Sequence, residues 1–393
     1  MLGLKGRGLS DGAALGKLRL GEIKQSDDNV ILWFGRLTSE HAVSLNKSKI
    51  SALLCEENAE HSHGVIIAKA LGIPIIVGVP KPDENLDGCE AAVDGKSGKV
   101  TLCPNKEAKA QILKKQADMD KYNAFLQDLK GKPSVTSEGR KVEVLSSLNS
   151  FGELHSVIKN DAEGIGLLRS ELMFFEETEP PCEELQFQAY KLAAEKMQGK
   201  KVVVRAFDFS KDKRPAYLKQ CENLHRATEF CLENPEFFKT QLRAILRSSV
   251  FGNVQILLPM IQSAEQINTV HKMITDVKAE LARKDVAFNN GIKVGAMLEN
   301  AASIENSSVL SGYCDFFSIG TNDPARAGCN ENSILTMVGK AVDVAHKSGI
   351  PVCVCGEMAG NLNFTKRLIN IGADSFCVSP TEILPLRGKI RSI

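Results

Sequence analysis

Short apolar runs alternate with longer amphipathic stretches through the second half of the chain, from Lys141 onward. The runs are rich in Val, Ile, Leu and Phe and end abruptly at polar residues, a pattern typical of buried parallel strands. The predicted strands cover residues 142–145, 164–168, 202–207, 254–261, 293–298, 316–320, 352–355 and 375–378. Eight strands that alternate with helices over ~250 residues predict an α/β fold of the (β/α)₈ TIM-barrel type.

Residues 1 to about 103 show shorter and more mixed elements. Apolar runs at 30–34, 50–54 and 75–78 predict strands, and apolar residues recur at helical spacing after Gly64. Ser62 and His63 therefore stand at the N-terminus of a predicted helix, where backbone N–H groups and the positive end of the helix dipole are exposed.

A stretch rich in lysine and alanine separates these two parts. Residues 105–130 carry apolar positions at helical spacing, and Gly131-Lys132-Pro133 ends the pattern. A chain of 393 residues is too long for one ordinary core. We therefore predict a small N-terminal domain over 1–103, a helical linker over 104–132 and the barrel over 133–393. A helical linker suits two domains that move relative to each other.

Composition narrows the class of protein. Hydrophobic residues make up 43% of the chain, charged residues 25%, and the net charge is +1. These values predict a soluble globular protein without a nucleic-acid or membrane partner. No apolar run reaches the ~18 residues that a membrane span needs. The 11 cysteines are scattered and form no C-x-x-C pair, which predicts free thiols and a cytoplasmic location.

Polar side chains follow several predicted barrel strands at the point where each strand stops. Arg169, Arg205, Glu299 and the pair Asn322-Asp323 occupy such positions. The carboxyl ends of barrel strands meet on the face that carries the chemistry. Two carboxylates and an amide oxygen form the oxygen-rich ligand set that Mg²⁺ prefers. Because arginine binds carboxylate or phosphate through paired hydrogen bonds, the pattern predicts a small, multiply anionic substrate.

Five segments of the chain carry motifs that belong together. Four lie in the predicted barrel, at residues 163–171, 241–247, 316–323 and 355–360, and the fifth is Ser62-His63. They resemble the motifs of the phosphoenolpyruvate–protein phosphotransferases, the Enzyme I family of the bacterial sugar phosphotransferase system. Ser62-His63 is similar to the end of that family's phosphohistidine motif, G-G-x-T-S-H. The resemblance covers nearly all of the chain and is strongest in the barrel.

This resemblance implies a reaction and a role for individual residues. Phosphoenolpyruvate would bind at the barrel on Mg²⁺ held by Glu299 and Asp323, with Asn322 on the phosphate. The N-terminal domain, a swivelling phosphohistidine domain of β/β/α type, would bring His63 over the barrel, where its imidazole attacks phosphorus. Cys355 would then protonate the enolate at carbon.

The resemblance also implies basic residues for the substrate and a protein partner. Arg169, Arg205 and Arg226 would hold the anionic groups of phosphoenolpyruvate, and Lys213 is a further candidate. The family's acceptor is the carrier protein HPr, so an HPr-like or another phosphocarrier protein is the expected partner. Whether the barrel also forms a homodimer is left open by the sequence.

The chain departs from the family pattern in three places. Roughly 60 residues precede the histidine motif, too few for the helical subdomain that docks HPr in the family. Asn58-Ala59 stand where paired glycines are expected, and His61 replaces threonine. The loop after Asp323 is short, and Arg326 lies too close to Asp323 to be assigned the role of the family's loop arginine.

Two classes of function therefore remain open. One is an active phosphotransferase, and the other is a degenerate relative that binds phosphoenolpyruvate or a protein partner in a regulatory role. Retention of His63, Glu299, Asp323 and Cys355 in one chain favours activity. A competing interpretation of Cys355 is an ordinary buried barrel cysteine, for which Cys353 provides the comparison. A dikinase or pyruvyl-phosphate synthase is a weaker alternative, because no glycine-rich nucleotide domain is present.

Overall fold

The chain forms two compact units, Met1–Asp128 and Leu129–Ile393, and each unit has its own hydrophobic core. The computed structural model describes residues 2–21, 28–46, 48–60, 62–70, 72–175, 178–209, 215–218 and 227–393. Across these residues, no helix combines the length and the apolar character that a membrane crossing requires.

A mixed eight-stranded sheet forms the first unit, with the order β1-β8-β7-β3-β4-β5-β6-β2. Strands β3 to β6 pair in parallel, and β1, β2, β7 and β8 join them in antiparallel pairings. The strands are β1 (Leu2–Lys5), β2 (Arg7–Gly8), β3 (Ala13–Arg19), β4 (Val30–Phe34), β5 (Ile50–Cys55), β6 (Ile75–Val77), β7 (Glu90–Asp94) and β8 (Lys99–Leu102).

Both faces of this sheet are covered, because alternate side chains of a strand point to opposite sides. On β4, Ile31 and Trp33 belong to one core cluster and Val30 and Leu32 to the other. Helices α1 (Ser39–Ser44) and α2 (His63–Ala70) follow β4 and β5. Helix α2 packs on the second cluster through Val65 and Ala68, which fixes the position of its first turn and so of His63.

Helix α3 (Lys106–Asp128) belongs to the first unit. Its side chains Ile112 and Met119 pack against Ala13 and Ala92 of the sheet. The segment that we assigned to a helical linker is therefore largely a packed layer of this unit.

A closed barrel of eight parallel strands forms the second unit, which confirms the predicted fold class. Its last strand pairs with its first in parallel, so the barrel has no free edge. The strands are β9 (Glu143–Leu148), β10 (Gly164–Arg169), β11 (Lys201–Arg205), β12 (Val254–Leu258), β13 (Val294–Leu298), β14 (Phe316–Gly320), β15 (Val352–Cys355) and β16 (Ser375–Val378).

Helices surround the barrel and bury their apolar faces against the outside of the strands. Several begin at a side-chain cap, as when Ser263 accepts a hydrogen bond from the N–H of Gln266. The helices are α4 (Leu154–Lys159), α5 (Leu172–Phe175), α6 (Glu183–Lys196), α7 (Ala227–Glu233), α8 (Pro235–Ser248), α9 (Ala264–Arg283), α10 (Ala301–Glu305), α11 (Ser307–Leu310), α12 (Asn322–Arg326), α13 (Glu331–Lys347), α14 (Glu357–Gly360), α15 (Thr365–Ile371) and α16 (Ile383–Arg391).

Arg387 of α16 connects distant parts of the second unit and is fully buried. Its Nη1 donates to the carbonyl of Leu129 at 3.2 Å and to the carboxylate of Asp161 at 2.6 Å. Its Nε donates to the hydroxyl of Ser134 at 3.2 Å. One side chain therefore joins the beginning of this unit to its last helix.

Candidate active site

Polar side chains gather at the carboxyl ends of the barrel strands, where the sequence predicted them. Arg169 ends β10 and Arg205 ends β11, and the two residues are paired across these neighbouring strands. Glu299 follows β13 directly, and Asn322 and Asp323 begin α12 just after β14. The parallel direction of the strands brings these groups to one face of the barrel.

Arg205 is nearly buried and carries two carboxylate partners. Its guanidinium pairs with Glu171 and, at 2.8 Å, with Asp208. Burial opposes the charged form, but the charges of Glu171, Asp208 and Glu299 outweigh it and raise the pKa of Arg205 above its ordinary value. The guanidinium is therefore a fixed positive charge at the centre of an acidic cluster.

Glu299 is a perturbed carboxyl of this face and is only 4% exposed. Burial and the negative charge of Asp208 raise its pKa to about 8, against the lowering effect of Arg205. Its Oε1 accepts a hydrogen bond of 3.0 Å from the backbone N–H of Met260. Glu299 thus lacks enough positive charge nearby to ionise readily.

Asp208 belongs to the same cluster, and the sequence analysis did not single it out. It lies three residues beyond the end of β11, and burial raises its pKa, with Arg205 opposing and Glu171 and Asp323 adding to the effect. The sequence signal that could have identified Asp208 is a carboxylate a few residues after a strand that ends in arginine. Asp208 was missed because it stands in a loop and not at the strand end itself.

Gln241 is a second residue that the sequence analysis did not assign to the site, although it begins one of the recognised motifs. It is fully buried on α8, accepts a 2.8 Å hydrogen bond from the N–H of Phe207 and donates to the hydroxyl of Ser170 at 3.0 Å. Ser170 in turn donates to the carbonyl of Arg205 at 2.7 Å. Gln241 therefore positions the backbone at Arg205 and just after it.

The donors of this face fit a divalent cation by their chemistry. Among the residues that the structure describes, no group of three or more His, Cys, Asp or Glu is arranged to hold a metal ion. The charge of Asp323 nevertheless raises the pKa of both Asp208 and Glu299, so these carboxylates repel one another. A hard cation such as Mg²⁺ takes carboxylate oxygens and would relieve that repulsion. Asp323 also pairs with the exposed Arg326 at 3.2 Å.

Both arginines keep a polar atom without a protein partner. The buried Nε of Arg169 and the buried Nε of Arg205 find no hydrogen-bond acceptor within the described part of the chain. Buried donors are normally satisfied, so these two atoms are available to a ligand that binds at this face. An anion that reaches between β10 and β11 would supply acceptors for both.

The turn between β15 and α14 holds Asn322 in place. Gly356 has φ +95°, and a Cβ at this position would lie 2.6 Å from both Asn322 Oδ1 and Thr321 Oγ1. The Asn322 Oδ1 accepts a 2.8 Å hydrogen bond from the N–H of Glu357. Because the oxygen of the amide is engaged, its NH₂ group is the end that can donate to a ligand.

Cys355 ends β15 and points into the barrel with Cys353 and Cys377. The hydrogen bond from Cys353 lowers the pKa of Cys355, but the hydrogen bond to Cys377, burial and the charge of Glu299 together raise it well above its ordinary value. The hydrogen bond to Cys355 and burial raise the pKa of Cys353 well above its ordinary value, against the lowering effect of Ser375 and Lys201. Both thiols are buried, and Cys355 is the one beside the acidic cluster.

His63 lies in the first unit and is the exposed first residue of α2. The hydroxyl of Ser62 accepts a hydrogen bond of 3.4 Å from the N–H of Val65 and so caps the helix. Glu60, just before it, forms a 2.7 Å ion pair with Arg7. Three residues from the sequence analysis, Lys213, Arg226 and His61, lie outside the described residues.

Comparisons with known proteins agree with the two units. Residues 26–98 match the mobile domain of PEP-utilising enzymes, and residues 123–393 match their PEP-binding domain. Among solved structures, a citrate lyase from Burkholderia xenovorans LB400 aligns at 16% identity and a TM-score of 0.36, over 52% of this chain and 63% of that one. That structural similarity is too low to carry an argument.

Curated relatives match almost the whole chain. A phosphoenolpyruvate-protein phosphotransferase from Staphylococcus carnosus is 34% identical over 388 residues, which cover 93% of this chain and 68% of that protein. One from Geobacillus stearothermophilus is 34% identical over 387 residues and covers 93% and 67%. The chain belongs to the family of PEP-utilising enzymes, together with these phosphoenolpyruvate-protein phosphotransferases.

Proposed function

We propose that this chain transfers the phosphoryl group of phosphoenolpyruvate to His63 and releases pyruvate. The observation that carries the proposal is the joint presence, at one face of the barrel, of two arginines with unpartnered donors and a repelling carboxylate cluster. Such a face suits a substrate with several negative charges bound together with a cation.

Arg169 and Arg205 would hold the anionic groups of the substrate. Their guanidinium groups lie on neighbouring strands, so a phosphate or carboxylate between them can accept from both. The NH₂ group of Asn322 would donate to a phosphate oxygen. Arg226 and Lys213 are further candidates from the resemblance.

Glu299 and Asp323 would hold Mg²⁺, and Asp208 is a third carboxylate within the same cluster. When bound, the ion would supply positive charge against the oxygens of the transferring phosphoryl group, where such reactions need it most. Glu299 would then ionise at neutral pH, because a nearby cation lowers a carboxyl pKa.

His63 would act as the nucleophile. A neutral imidazole nitrogen carries a lone pair that can attack phosphorus. In this chain the ring of His63 is exposed at a helix N-terminus, where a dianion is favoured. The new bond joins this nitrogen to phosphorus, and the bond from phosphorus to the enol oxygen breaks. The products of this step are phosphohistidine and the enolate of pyruvate.

Cys355 would complete the reaction by giving its proton to the methylene carbon of the enolate. Its raised pKa keeps the thiol protonated at neutral pH, so the proton is present when the enolate forms. The thiolate then recovers a proton from solvent. An HPr-like or another phosphocarrier protein is our proposed final acceptor, by analogy with the relatives.

The test is to incubate the protein with Mg²⁺ and phosphoenolpyruvate labelled at phosphorus and to map the label. We expect an acid-labile, base-stable label on His63 that is lost in His63→Ala. His41→Ala removes another exposed histidine of the same unit and should label normally, and His61→Ala should only slow labelling. Label that persists in His63→Ala would place the nucleophile elsewhere.

Two further variants in the same assay separate the roles at the barrel. Asp323→Ala should abolish Mg²⁺-dependent binding of phosphoenolpyruvate, and unchanged affinity with and without Mg²⁺ would contradict the metal assignment. Cys355→Ala should still label but should release pyruvate about 10²-fold more slowly, whereas Cys353→Ala should change the rate little. A wild-type protein that binds phosphoenolpyruvate without any label would instead favour the degenerate relative.

A further inference from the structure

Two cysteines that have no part in the proposed reaction flank a hairpin of the first unit. Cys89 directly precedes β7, and Cys103 directly follows β8. The two strands pair in antiparallel register, with Ala91 opposite Leu102, and the N–H of Cys103 donates to the carbonyl of Glu90 at 2.8 Å. The open end of the hairpin is therefore held together next to both thiols.

The backbone at Cys103 brings its side chain toward Cys89. Cys103 has φ +47°, a left-handed conformation that few residues other than glycine adopt. It interrupts the regular alternation of side chains that β8 would otherwise continue. Burial raises the pKa of Cys89 and the neighbouring Cys103 side chain adds to the effect, and both cysteines are free thiols.

The two thiols differ in their access to solvent. Cys103 is exposed, whereas Cys89 is half-buried and packs at the edge of the core formed by β4 and its neighbours. Burial raises the pKa of Cys89. A reagent in solution therefore reacts with Cys103 first, and Cys89 can then attack the modified Cys103.

We propose that Cys89 and Cys103 form a reversible disulfide, which makes the open end of the β7–β8 hairpin a redox modification site for small disulfides of the glutathione class.

The exchange runs in two steps. The thiolate of Cys103 attacks one sulfur of oxidised glutathione, so a mixed disulfide forms and one glutathione leaves. The thiolate of Cys89 then attacks the Cys103 sulfur, which forms the internal bond and expels the second glutathione. Two protein thiols are oxidised and one small disulfide is reduced to two thiols, so the electrons balance.

The cysteines inside the barrel are poorer candidates, although Cys353 and Cys355 have sulfurs only 3.8 Å apart. Both are buried, as is Cys377. An oxidant of the size of glutathione cannot reach them without opening the barrel. Reaction by exchange requires access as well as proximity, and only the hairpin pair combines the two among the described thiols.

The bond would tie together three parts of the first unit. The carbonyl of Cys89 accepts a 2.8 Å hydrogen bond from the N–H of Leu18 on β3. Glu90, the next residue, forms an ion pair with Lys109 of α3. Because Cys103 leads into α3, a disulfide would fasten the entry of that helix to β7.

The experiment equilibrates the full chain with oxidised glutathione in excess, alkylates the remaining thiols and maps the peptides by mass spectrometry. We expect a linked peptide that joins Cys89 to Cys103, reversed by reduced glutathione. Cys89→Ser should instead hold a glutathione mixed disulfide on Cys103, while Cys103→Ser should leave Cys89 largely unmodified. Cys182→Ser, which removes an exposed thiol of the barrel unit, should not change the yield of the linked peptide.

A denatured sample provides the second comparison. In guanidinium chloride the same treatment should spread the pairing over the cysteines of the chain and lower the yield of this peptide several-fold. Absence of the linked peptide in the native protein would overturn the proposal. An equal yield in native and denatured protein would also overturn it, because the fold would then not be what brings the two thiols together.

Discussion

At the scale of single residues, Glu299 links the acidic cluster to the stability of the barrel. Its ordinary pKa is 4.5, and in the folded, metal-free protein it is raised to about 8. Between these values the folded protein keeps a proton that the unfolded chain releases. The stability that the retained proton gives the folded state is therefore lost as the pH rises toward the raised pKa.

We predict that the free energy of unfolding of the metal-free protein falls between about pH 5 and about pH 8, by up to about 1.4 kcal/mol per pH unit from this group. Urea titrations in the presence of a chelator measure the slope. Glu299→Gln should flatten it, whereas Glu357→Gln, which removes an exposed carboxyl beside β15, should leave it unchanged. Equal slopes in all three proteins would mean that Glu299 does not titrate in this range.

The sequence located polar residues at the ends of strands but not those in loops. Arg169, Arg205 and Glu299 were recognised because a polar residue after a buried run marks the mouth of a barrel strand. Asp208 was not recognised, since its place in the cluster depends on how the loop after β11 folds back toward Arg205. Only three-dimensional contact carries that information.

At the scale of elements, the turn from β15 into α14 depends on one glycine. Gly356 combines a left-handed backbone with a close approach to Asn322 and Thr321. An alanine would be strained by both, and the clash would displace the amide proposed to contact phosphate. The turn therefore has little freedom to accept another residue.

Gly356→Ala should lower the free energy of unfolding by about 1–3 kcal/mol and weaken binding of phosphoenolpyruvate. Thermal denaturation and ligand titration measure the two effects. Gly139→Ala separates the backbone cost from the clash, because Gly139 has φ +88° with no atom within 4 Å of an added Cβ. If both variants lose the same stability and bind equally well, the contact with Asn322 has no role.

The barrel strands were predictable because each is buried on both faces and so reads as a continuous apolar run. The hairpin of β7 and β8 in the first unit was not predicted. Strand β7 reads Glu-Ala-Ala-Val-Asp, and its short apolar centre is no stronger than that of many loops or helices. Its pairing with β3 and β8 decides its conformation, and such long-range pairing has no local signal.

At the scale of the whole molecule, the division into two units makes the boundary testable. We predicted a barrel that begins near Lys132. The second unit begins at Leu129, which is 4% exposed and whose carbonyl accepts from Arg387. The N–H of Gly131 also donates to Asp161 at 2.8 Å. These contacts suggest that residues 129–131 contribute to the stability of the barrel.

We predict that a fragment of residues 129–393 folds cooperatively and is about 2–4 kcal/mol more stable than a fragment of residues 132–393. Urea denaturation followed by circular dichroism compares them. Leu129→Ala in the longer fragment should remove part of its extra stability over the shorter one. Two fragments of equal stability would show that the boundary lies at or beyond Lys132, and unfolded fragments would contradict the division.

The buried guanidinium of Arg387 has a consequence for the order in which the protein can mature on the ribosome. Synthesis delivers Leu129, Ser134 and Asp161 more than 220 residues before their shared partner. Until that partner leaves the exit tunnel, the carboxylate of Asp161 and the carbonyl of Leu129 lack its guanidinium, and the first barrel strand cannot pair with the last. A nascent chain of this protein therefore carries an open, unfinished barrel from the release of its first barrel strand until Arg387 emerges, and chaperones would meet the barrel in that state.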